Sequence, residues 1–588
     1  FLLLVALCLI PTSYSHAIPA SKIAKTPLIT RAEAMNTMRN AMKNDKINCV
    51  VCSTIVQGLN QLISEEEEEE KIDDFLKKTC VTLDLAQTEV CNDMVDEYAN
   101  ELYFVVERVI FTPDELCGIF VDDCGIPVNP LKVLWNLTIP GGKPAVKPWP
   151  TVKAPKKTQR VLHLSDIHVD REYVEGSEAD CKGDQVISTL CCRVYPEMGT
   201  SQNNTAIKSP AGKWGAVYGC DLPFRTFDAA MRHISETHKD LDYIMITGDL
   251  EAHDIWDYTK EKTTANIANI TQVLFNYFPK TPIYESIGNH EGVPMDAMAP
   301  HNMDEYDTRG PTWLYNTLAD EWSRWISPEA VKGVQYRASY VEYPSPGLKL
   351  ISINTIYCSK NNFYLFINQT DPDGTLSWLI SELLDSETKG EKVHIISHIP
   401  AGDDYCLKGW AHNFYDIVNR FENTIAGQFY GHTHDDHFEV YYEDSNPAGR
   451  PTHFNFITPS LTSYSFHNPA YRIYTIDGGY EGATYTVIDA ETYTTDLNEA
   501  NAKDQEPQFF LEYSTRDEYG LPDLSPSSWA GLIDRLAVDD DLFTKFHRFY
   551  FRSTHEDNCV NDPACRKKFV CGLKAAKSYE EDNFCAGL

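Results

Sequence analysis

The sequence predicts a multidomain chain in which an all-α module precedes an α/β sandwich domain of the βαβ type and a helical C-terminal domain. Its 588 residues exceed the usual length of one domain, about 100–200 residues. Residues 46–126 place apolar side chains at helical spacing, whereas from residue 160 short apolar segments alternate with helical patterns. A helical pattern returns from about residue 491. We therefore expect three folded units.

Composition and charge limit the classes of function. Hydrophobic residues make up 43% of the chain and aromatic residues 12%, which is enough for large cores and excludes a mostly disordered chain. The 51 Lys and Arg against 86 Asp and Glu give a net charge of −35. Nucleic acid binding needs a basic surface that this composition does not favour, so we expect no nucleic acid partner.

The N-terminus predicts entry into the secretory route. An apolar run over residues 1–10, followed by Pro11 and small residues, is typical of a signal peptide over residues 1–17, and we expect its basic leader to be missing from the sequence. Without Cys8, 16 of the 17 cysteines remain, an even number that suits disulfide pairing outside the cytosol. No later stretch has the ~20 apolar residues of a membrane span, so we expect a lysosomal or secreted protein. The predicted N-glycosylation sites are Asn136, Asn203, Asn269 and Asn368.

A cysteine-rich helical module is predicted over residues 43–128. Apolar residues recur every three or four positions from Cys52 to Ile63 and from Leu102 to Ile110. Spacing does not fix the pairing of its cysteines. Their order, a Cys-x-x-Cys opening, two cysteines in the middle and a spaced closing pair, resembles the saposin-B family. The resemblance implies a helical bundle that contacts membrane lipid, and the alternative is a helical spacer stapled by disulfides. Residues 129–157 are rich in proline and predict a semi-rigid linker.

Five short apolar segments of the central domain, residues 158–490, end in polar residues of the kinds that bind metals. The first ends in an Asp-x-His motif, whose two side chains share one face of an extended backbone. Gly-Asp, Gly-Asn-His, His and Gly-His-x-His follow in that order. Open α/β sheets place their sites at the carboxyl ends of strands, so we expect these side chains to converge. The candidate metal ligands are Asp166, His168, Asp249, Asn289, His398, His432 and His434.

The donor types predict a pair of divalent metal ions. The carboxylate of Asp249 has two oxygens and can bridge two cations, while Asn289 offers a neutral amide oxygen. Mixed nitrogen and oxygen donors suit zinc or a related first-row metal better than calcium or magnesium. Each short motif alone is more often structural, but five of them in this order over about 270 residues make coincidence improbable.

The set of motifs resembles that of the calcineurin-like metallophosphoesterases. The surrounding residues 248–254 and 431–440, preceded by a saposin-like module, resemble the acid sphingomyelinase family over nearly the whole mature chain. The resemblance implies hydrolysis of sphingomyelin to ceramide and phosphocholine, with the saposin-like module presenting membrane lipid. It implies two Zn²⁺ ions. One would be held by Asp166, His168, Asp249 and His434, and the other by Asp249, Asn289, His398 and His432.

Two histidines are candidates for the proton donor. A hydroxide activated by the metals would attack phosphorus in line, with Asn289 stabilising the developing charge. The leaving alkoxide needs a proton, and both His253 and His290 lie close in sequence to a predicted ligand. The sequence does not rank them, and the alternative for either is to orient a ligand.

The resemblance also implies residues that contact substrate, although ordinary packing explains each of them equally well. They are Asp221, Asn361, Tyr364 and Tyr464. A choline headgroup favours aromatic faces and carboxylates, yet Asn361 stands where the family usually has an acidic residue. Residues 398–406 are also slightly longer than the corresponding stretch of the family and lie next to a predicted ligand.

The C-terminal domain, residues 491–588, is predicted to be a helical buttress with no chemistry of its own. The resemblance implies eight disulfides, which together use all 16 mature cysteines. These are Cys49–Cys124, Cys52–Cys117, Cys80–Cys91, Cys181–Cys191, Cys192–Cys220, Cys358–Cys406, Cys559–Cys565 and Cys571–Cys585.

A lipid phosphodiesterase is the leading interpretation, and two others remain. One is a secreted metallophosphodiesterase that acts on soluble nucleotides or other diesters, and the saposin-like module argues against it because soluble diesters need no extraction from a bilayer. The other is a non-enzymatic lipid-binding protein, against which the complete ligand set argues. We expect a monomer that touches membranes peripherally.

Overall fold

The computed structural model describes residues 49–64, 69–82, 85–109, 117, 131–152, 155–181, 189–195, 207–554 and 558–585. The signal predicted over residues 1–17 lies outside these residues, as do Cys124 and the acceptor Asn203. Among the described residues, no helix is both long and apolar enough to cross a bilayer.

In the described residues of the N-terminal part, the structure has helices α1 (Cys49–Ser64), α2 (Glu69–Thr82) and α3 (Thr88–Arg108). Their inner faces are buried, and the core includes Ile55 of α1, Phe75 of α2 and Val95 of α3. A run of apolar residues at helical spacing therefore does form helices here, because each helix can bury one face against the other two.

The central part contains two six-stranded sheets and a two-stranded ribbon. The first sheet has the order β14-β13-β12-β1-β4-β5, the second has the order β10-β11-β9-β8-β7-β6, and β2 pairs with β3. The strands are β1 (Thr158–Leu164), β2 (Val169–Asp170), β3 (Leu222–Pro223), β4 (Tyr243–Ile246), β5 (Ile283–Glu285), β6 (Tyr340–Ser345), β7 (Leu348–Ser352), β8 (Lys392–Ile396), β9 (Ile425–Tyr430), β10 (His437–Tyr442), β11 (Pro451–Ile457), β12 (Ala470–Asp477), β13 (Val487–Thr494) and β14 (Phe510–Ser514).

Helices lie between the strands and after them. They are α4 (Phe224–Thr237), α5 (Lys260–Tyr277), α6 (Tyr306–Arg309), α7 (Thr312–Trp322), α8 (Pro328–Arg337), α9 (Thr375–Lys389), α10 (Lys408–Arg420), α11 (Leu497–Lys503), α12 (Thr515–Tyr519), α13 (Pro526–Leu536), α14 (Asp540–Tyr550), α15 (Pro563–Lys574) and α16 (Glu581–Cys585). Helices α4 and α5 include most of residues 227–238 and 266–278, two stretches of helical pattern between the apolar segments.

The two sheets pack face to face, which confirms the predicted α/β architecture. Across the interface, the Phe429 ring of β9 lies 5.0 Å from the Tyr474 ring of β12 and 6.1 Å from the His163 ring of β1. Strands β1, β4 and β5 are parallel, and so are β7, β8, β9 and β11. The carboxyl ends of β1, β4, β5, β8 and β9 therefore meet at one edge of the sandwich.

Residues 131–152, within the segment predicted to be a semi-rigid linker, form no helix or strand and pack along the sandwich. The Trp135 ring is buried, and its backbone carbonyl accepts a hydrogen bond of 2.8 Å from Asn413 of α10. Farther along, Arg420 donates to the carbonyl of Pro140 at 2.8 Å, and the Trp149 ring packs 5.3 Å from the His453 ring. These contacts make residues 131–152 a strap on the second sheet.

The first sheet continues past the boundary that the sequence places at residue 490. Strand β13 spans that boundary, and β14 adds an edge strand within the segment predicted to be helical. The helices that follow pack on the second sheet, where the Trp529 ring of α13 lies 4.2 Å from the Phe438 ring of β10. The C-terminal residues thus add an edge strand to the first sheet and pack helices against the second.

Seven disulfides join described residues, and each is one of the predicted pairs. The pairing of Cys49 with Cys124 stays a prediction, because Cys124 is not described. Asn136, Asn269 and Asn368 are exposed, as glycosylation acceptors must be.

Candidate metal and catalytic site

The seven predicted metal ligands come together at the carboxyl edge of the two sheets. Asp166 lies two residues after β1, Asp249 three after β4, and Asn289 four after β5. From the second sheet, His398 follows β8 and His432 follows β9, each by two residues. Each strand ends at the same edge, so residues that are 270 positions apart become neighbours.

The donor atoms form two overlapping groups around Asp249. Its Oδ2 lies 3.1 Å from Nε2 of His398 and 3.5 Å from Nε2 of His168. On the His398 side, Oδ1 of Asn289 lies 2.9 Å from His398 Nε2 and 3.1 Å from His432 Nδ1. On the His168 side, Nε2 of His434 lies 3.5 Å from Oδ1 of Asp166. Asp249 is thus the one carboxylate between the two groups.

In His168 and His398, a hydrogen bond to one ring nitrogen fixes which nitrogen faces the cleft. Nδ1 of His398 is 2.6 Å from the carbonyl of Thr247, and Nδ1 of His168 is 2.5 Å from the carbonyl of Glu251, so both nitrogens donate. The opposite Nε2 atoms are then directed at Asp249, where each can bind a cation. The Nε2 of His168 is buried and has no hydrogen-bond partner. A buried acceptor left without a proton donor is costly, and a cation at this point would satisfy it.

The backbone that carries the cluster is strained. Five of the seven residues have a positive φ, between 40° and 74°, in the left-handed region that non-glycine residues rarely adopt. They are Asp166, His168, Asp249, His432 and His434. Such strain persists only where the surrounding structure over-determines it, and it concentrates at functional sites.

Two glycines and a buried carboxylate hold the Asp249 turn. A Cβ on Gly248 would lie 2.5 Å from the backbone nitrogen of Gly288, so the two turns meet back to back. Glu291 accepts hydrogen bonds of 2.6 Å from the backbone nitrogens of both Gly288 and Leu250. Burial raises the pKa of Glu291 to about 7. Sequence reasoning missed this role, although Glu291 directly follows the Gly-Asn-His motif.

His253 is held between a carboxylate and an aromatic ring. Its Nδ1 lies 2.9 Å from Oδ1 of Asp221, and its backbone nitrogen donates to Oδ2 of the same residue at 2.6 Å. The Tyr464 ring stacks on the imidazole, with 3.7 Å between centroids and 7° between planes. Asp221 is fully buried and also accepts a hydrogen bond of 2.9 Å from the hydroxyl of Thr462. A carboxylate at Nδ1 fixes the tautomer and stabilises a protonated ring.

His290 has a different environment. Its Nδ1 lies 2.7 Å from the hydroxyl of Tyr258, and that hydroxyl donates to the carbonyl of Ala252. The tyrosine oxygen is therefore left to accept from Nδ1. Burial lowers the pKa of His290 well below its usual range. The Tyr258 hydroxyl is neutral, so it does not stabilise a protonated His290 ring as the Asp221 carboxylate stabilises His253.

The remaining substrate candidates lie at the edge of the cleft. The side-chain amide of Asn361 donates to the hydroxyl of Tyr405, which in turn donates to Asp296 at 2.8 Å. The Tyr405 ring lies 4.6 Å from the His432 ring, which places Asn361 one side chain away from the metal-ligand cluster. The Tyr364 ring instead contacts Phe104 of helix α3, with 5.8 Å between centroids.

Helix α3 reaches the catalytic part of the molecule beside that edge. The guanidinium of Arg309 lies 4.2 Å from the centre of the Phe104 ring and donates to Asn100 of α3 at 2.9 Å. Arg108 pairs with Glu305 at 3.6 Å. Aromatic and cationic contacts therefore dock the N-terminal helices next to the cleft.

Two family models match the chain. The one described as calcineurin-like phosphoesterase covers residues 159–436, and the one described as acid sphingomyelin phosphodiesterase C-terminal region covers residues 452–582. All seven candidate ligands fall within the first match. Together with the clustering of histidines and aspartates, the match indicates a dinuclear metal site.

Several named proteins are similar over most of their length. Sphingomyelin phosphodiesterase 2 of Caenorhabditis elegans is 54% identical over 93% of this chain and 90% of its own. Sphingomyelin phosphodiesterase of Homo sapiens is 35% identical over 92% of this chain and 83% of its own. Among solved structures, a dimetal phosphatase from Danio rerio matches 58% of this chain and 96% of its own with 11% identity and a TM-score of 0.35, which is too distant to carry an argument.

Proposed function

The chain belongs to the acid sphingomyelinase family of calcineurin-like phosphoesterases, and from this premise we propose that it hydrolyses sphingomyelin to ceramide and phosphocholine. The observation that carries the proposal is the convergence of seven donor side chains, Asp249 among them, at one sheet edge. Such a cluster suits a phosphate diester, whose negative charge needs a cationic site in a protein of net charge −35.

We assign the donors to two Zn²⁺ ions. Asp249 would belong to both sites, because its Oδ2 faces both His168 and His398. The mixture of imidazole, carboxylate and amide donors and the unpartnered Nε2 of His168 support this assignment. Two such ions supply Lewis acidity toward the phosphate and lower the pKa of water. The first site comprises Asp166, His168, Asp249 and His434, and the second comprises Asp249, Asn289, His398 and His432.

We assign the proton donor to His253. A new bond forms between a water oxygen and phosphorus, the bond from phosphorus to the ceramide oxygen breaks, and that oxygen takes a proton from the ring of His253. The proton that the attacking water loses passes to solvent, and His253 takes up a proton from solvent before the next turnover. Asp221 at Nδ1 stabilises the protonated ring, whereas His290 faces a neutral hydroxyl. Asp221 then orients His253 instead of touching the headgroup. His290, whose backbone nitrogen donates to Asp249 at 2.9 Å, orients the carboxylate between the two metal sites.

The choline end of the substrate is assigned to the aromatic side of the cleft. Tyr464 already stacks on His253, so it can order the proton donor and the headgroup together. Asn361 contributes an amide where the family usually has a carboxylate, which removes one negative charge from the headgroup site. We expect weaker choline selectivity than a carboxylate would give.

We assign lipid presentation to helices α1–α3 as a saposin-like module. Their docking beside the cleft, through Phe104 of α3 and Tyr364, supports this assignment. The disulfide pattern supports a lysosomal or secreted location. All seven donors come from one chain, so a monomer suffices for catalysis.

Phosphocholine release tests the proposal. The full chain should release phosphocholine from sphingomyelin vesicles, faster at pH 5 than at pH 7, because the donor must be protonated. A soluble diester such as bis(p-nitrophenyl) phosphate is the comparison substrate. Hydrolysis of the soluble diester without any release from vesicles would contradict the proposal and favour a soluble-diester phosphodiesterase.

A further inference from the structure

A single buried arginine binds carboxylates from two loops of the cleft. Arg193 makes a two-point contact with Asp170, from Nε to Oδ2 at 3.1 Å and from Nη2 to Oδ1 at 2.8 Å. Its Nη1 also donates to Asp254 Oδ2 at 2.7 Å and to Glu172 at 3.4 Å. The Arg193 side chain is 8% exposed and that of Asp170 is 0% exposed. Bidentate, desolvated contacts of this kind fix geometry because the guanidinium is planar and rigid.

The carboxylates that Arg193 binds are next to residues of the site. Asp170 lies two residues after His168, and Asp254 directly follows His253. The guanidinium therefore ties the loop that carries a predicted ligand to the loop that carries the predicted proton donor. No function considered so far uses Arg193.

A disulfide connects this contact with the one that Asp221 makes. Arg193 directly follows Cys192, and Asp221 directly follows Cys220. The disulfide between Cys192 and Cys220 therefore links the backbones next to these two side chains. Asp221 binds His253 through its ring and its backbone nitrogen, and Arg193 binds the next residue, Asp254. The Cys192–Cys220 disulfide thus connects the residue that binds His253 with the residue that binds Asp254.

We infer that Arg193, fixed by the Cys192–Cys220 disulfide, is a positioning residue that holds His253 in place for proton transfer to the leaving group. The inference rests on the proposed function, in which His253 protonates the ceramide oxygen. It assigns Arg193 no contact with substrate. Because misplacement of a catalytic group by about 1 Å can cost about 100-fold, loosening this contact should slow proton transfer without weakening substrate binding.

Substrates that differ in their need for a proton test the inference. The alkoxide of ceramide is a strong base and must be protonated as it leaves, whereas p-nitrophenolate is a weak base and leaves without help. We therefore expect Arg193→Lys to lower kcat for sphingomyelin about 10- to 100-fold with KM little changed. For p-nitrophenyl phosphocholine, which has the same headgroup, the loss should stay within about threefold.

A double-mutant cycle tests whether Arg193 acts through His253. In a His253→Gln background the proton donor is already gone, so adding Arg193→Lys should cause no further loss with sphingomyelin. Arg420→Lys is the matched control, because Arg420 is also nearly buried and makes a two-point contact with Glu387 at 2.9 and 3.0 Å, but on the strap side. It should leave both substrates unaffected. If Arg193→Lys does not fold, Asp254→Ala removes the same contact from the other partner and should show the same selective loss.

The possible failures are separate. If the unaltered chain releases no phosphocholine from sphingomyelin, the proposed function is wrong. If the unaltered chain is active but Arg193→Lys slows both substrates equally, or slows sphingomyelin hydrolysis further in the His253→Gln background, then Arg193 does not position His253 and the inference is overturned.

Discussion

The cleft and the docking surface of the N-terminal helices are held in different ways. In the cleft, buried side chains fix a strained backbone, and Glu291 alone accepts three backbone hydrogen bonds. At the docking surface, helix α3 shares a buried apolar cluster with residues of the central part such as Met295 and Leu365, and partly exposed arginines lie around it, with Arg108 27% exposed. The cleft is therefore held by buried polar contacts to a strained backbone, whereas docking is mainly apolar. We expect changes in the cleft to stop the chemistry and changes at the docking surface to have graded effects on lipid hydrolysis.

The largest effect should come from Asp249→Ala. Loss of the carboxylate between the two groups of donors should lower phosphocholine release by about 10³-fold or more, because metal sites supply several kcal/mol of transition-state stabilisation. Secretion and melting temperature should stay close to those of the unaltered chain. Asp228→Ala, which removes a partly exposed ion pair with Arg232, is the control and should keep full activity. If Asp249→Ala still hydrolyses sphingomyelin, the cleft is no more sensitive to substitution than the docking surface, and the expected difference between them is wrong.

The next effect separates the two histidines of the cleft. We expect His253→Gln to lower kcat for sphingomyelin by about 10²–10⁴-fold, the usual contribution of a general acid, and to spare p-nitrophenyl phosphocholine. His290→Gln should lower the rates of both substrates together, because the His290 ring packs 4.8 Å from the ring of the proposed ligand His168 and does not protonate the leaving group. If steady-state kinetics show a selective loss with sphingomyelin in His290→Gln and an equal loss with both substrates in His253→Gln, then His290 is the proton donor and His253 is not.

A smaller effect is expected at the docking surface. Phe104→Ala removes the ring that both Tyr364 and Arg309 contact, so it should reduce sphingomyelin hydrolysis in vesicles several-fold. Hydrolysis of bis(p-nitrophenyl) phosphate should not change. Phe275→Ala, a change of an exposed ring on α5, serves as the control. Equal loss with vesicles and with the soluble diester would show that the helices act on the chemistry and not on lipid delivery.

The smallest effect concerns pH and stability. Burial raises the pKa of Glu285 and of Glu439 to about 8, compared with a usual value of 4.5. Both groups are thus protonated in the fold at pH values where the unfolded chain would ionise them. Their stabilising contribution is complete below pH 4.5 and is lost as the pH rises through 8. Melting temperature should therefore be higher at pH 5 than at pH 8.

Substitution isolates this contribution. Glu285→Gln should reduce the difference in melting temperature between pH 5 and pH 8, because glutamine does not titrate. Glu89→Gln, at an exposed position of helix α3, should leave that difference unchanged. An unchanged difference in Glu285→Gln would mean that the buried carboxyl group does not cause the pH dependence.

The sequence predicted the candidate ligands better than their surroundings. Asp166 and Asp249 each lie within three residues of the end of an apolar strand, so a local pattern indicates both the strand and the donor. The partners of these donors lack such a pattern. Asp221 precedes His253 by 32 residues and Arg193 precedes Asp254 by 61, and only the fold brings each pair together. The same reason explains why Tyr258 beside His290 was not foreseen.

The boundaries were predicted less well for a different reason. Strand β14 follows a short helix and leaves Phe510 and Leu511 exposed at a sheet edge, so its sequence lacks the alternation that indicates a strand. The strap of residues 131–152 has no periodic pattern at all. Its position depends on Asn413 and Arg420, which lie about 280 residues away.

Zinc reconstitution tests the central assignment most directly. Metal is removed from the full chain with a chelator, Zn²⁺ is added back in known amounts, and phosphocholine release from sphingomyelin vesicles is recorded. We predict that the stripped protein is inactive and that release reaches its plateau at about two equivalents of zinc per chain. Full release by the stripped protein, or a plateau at one equivalent, would contradict a pair of metal ions sharing Asp249.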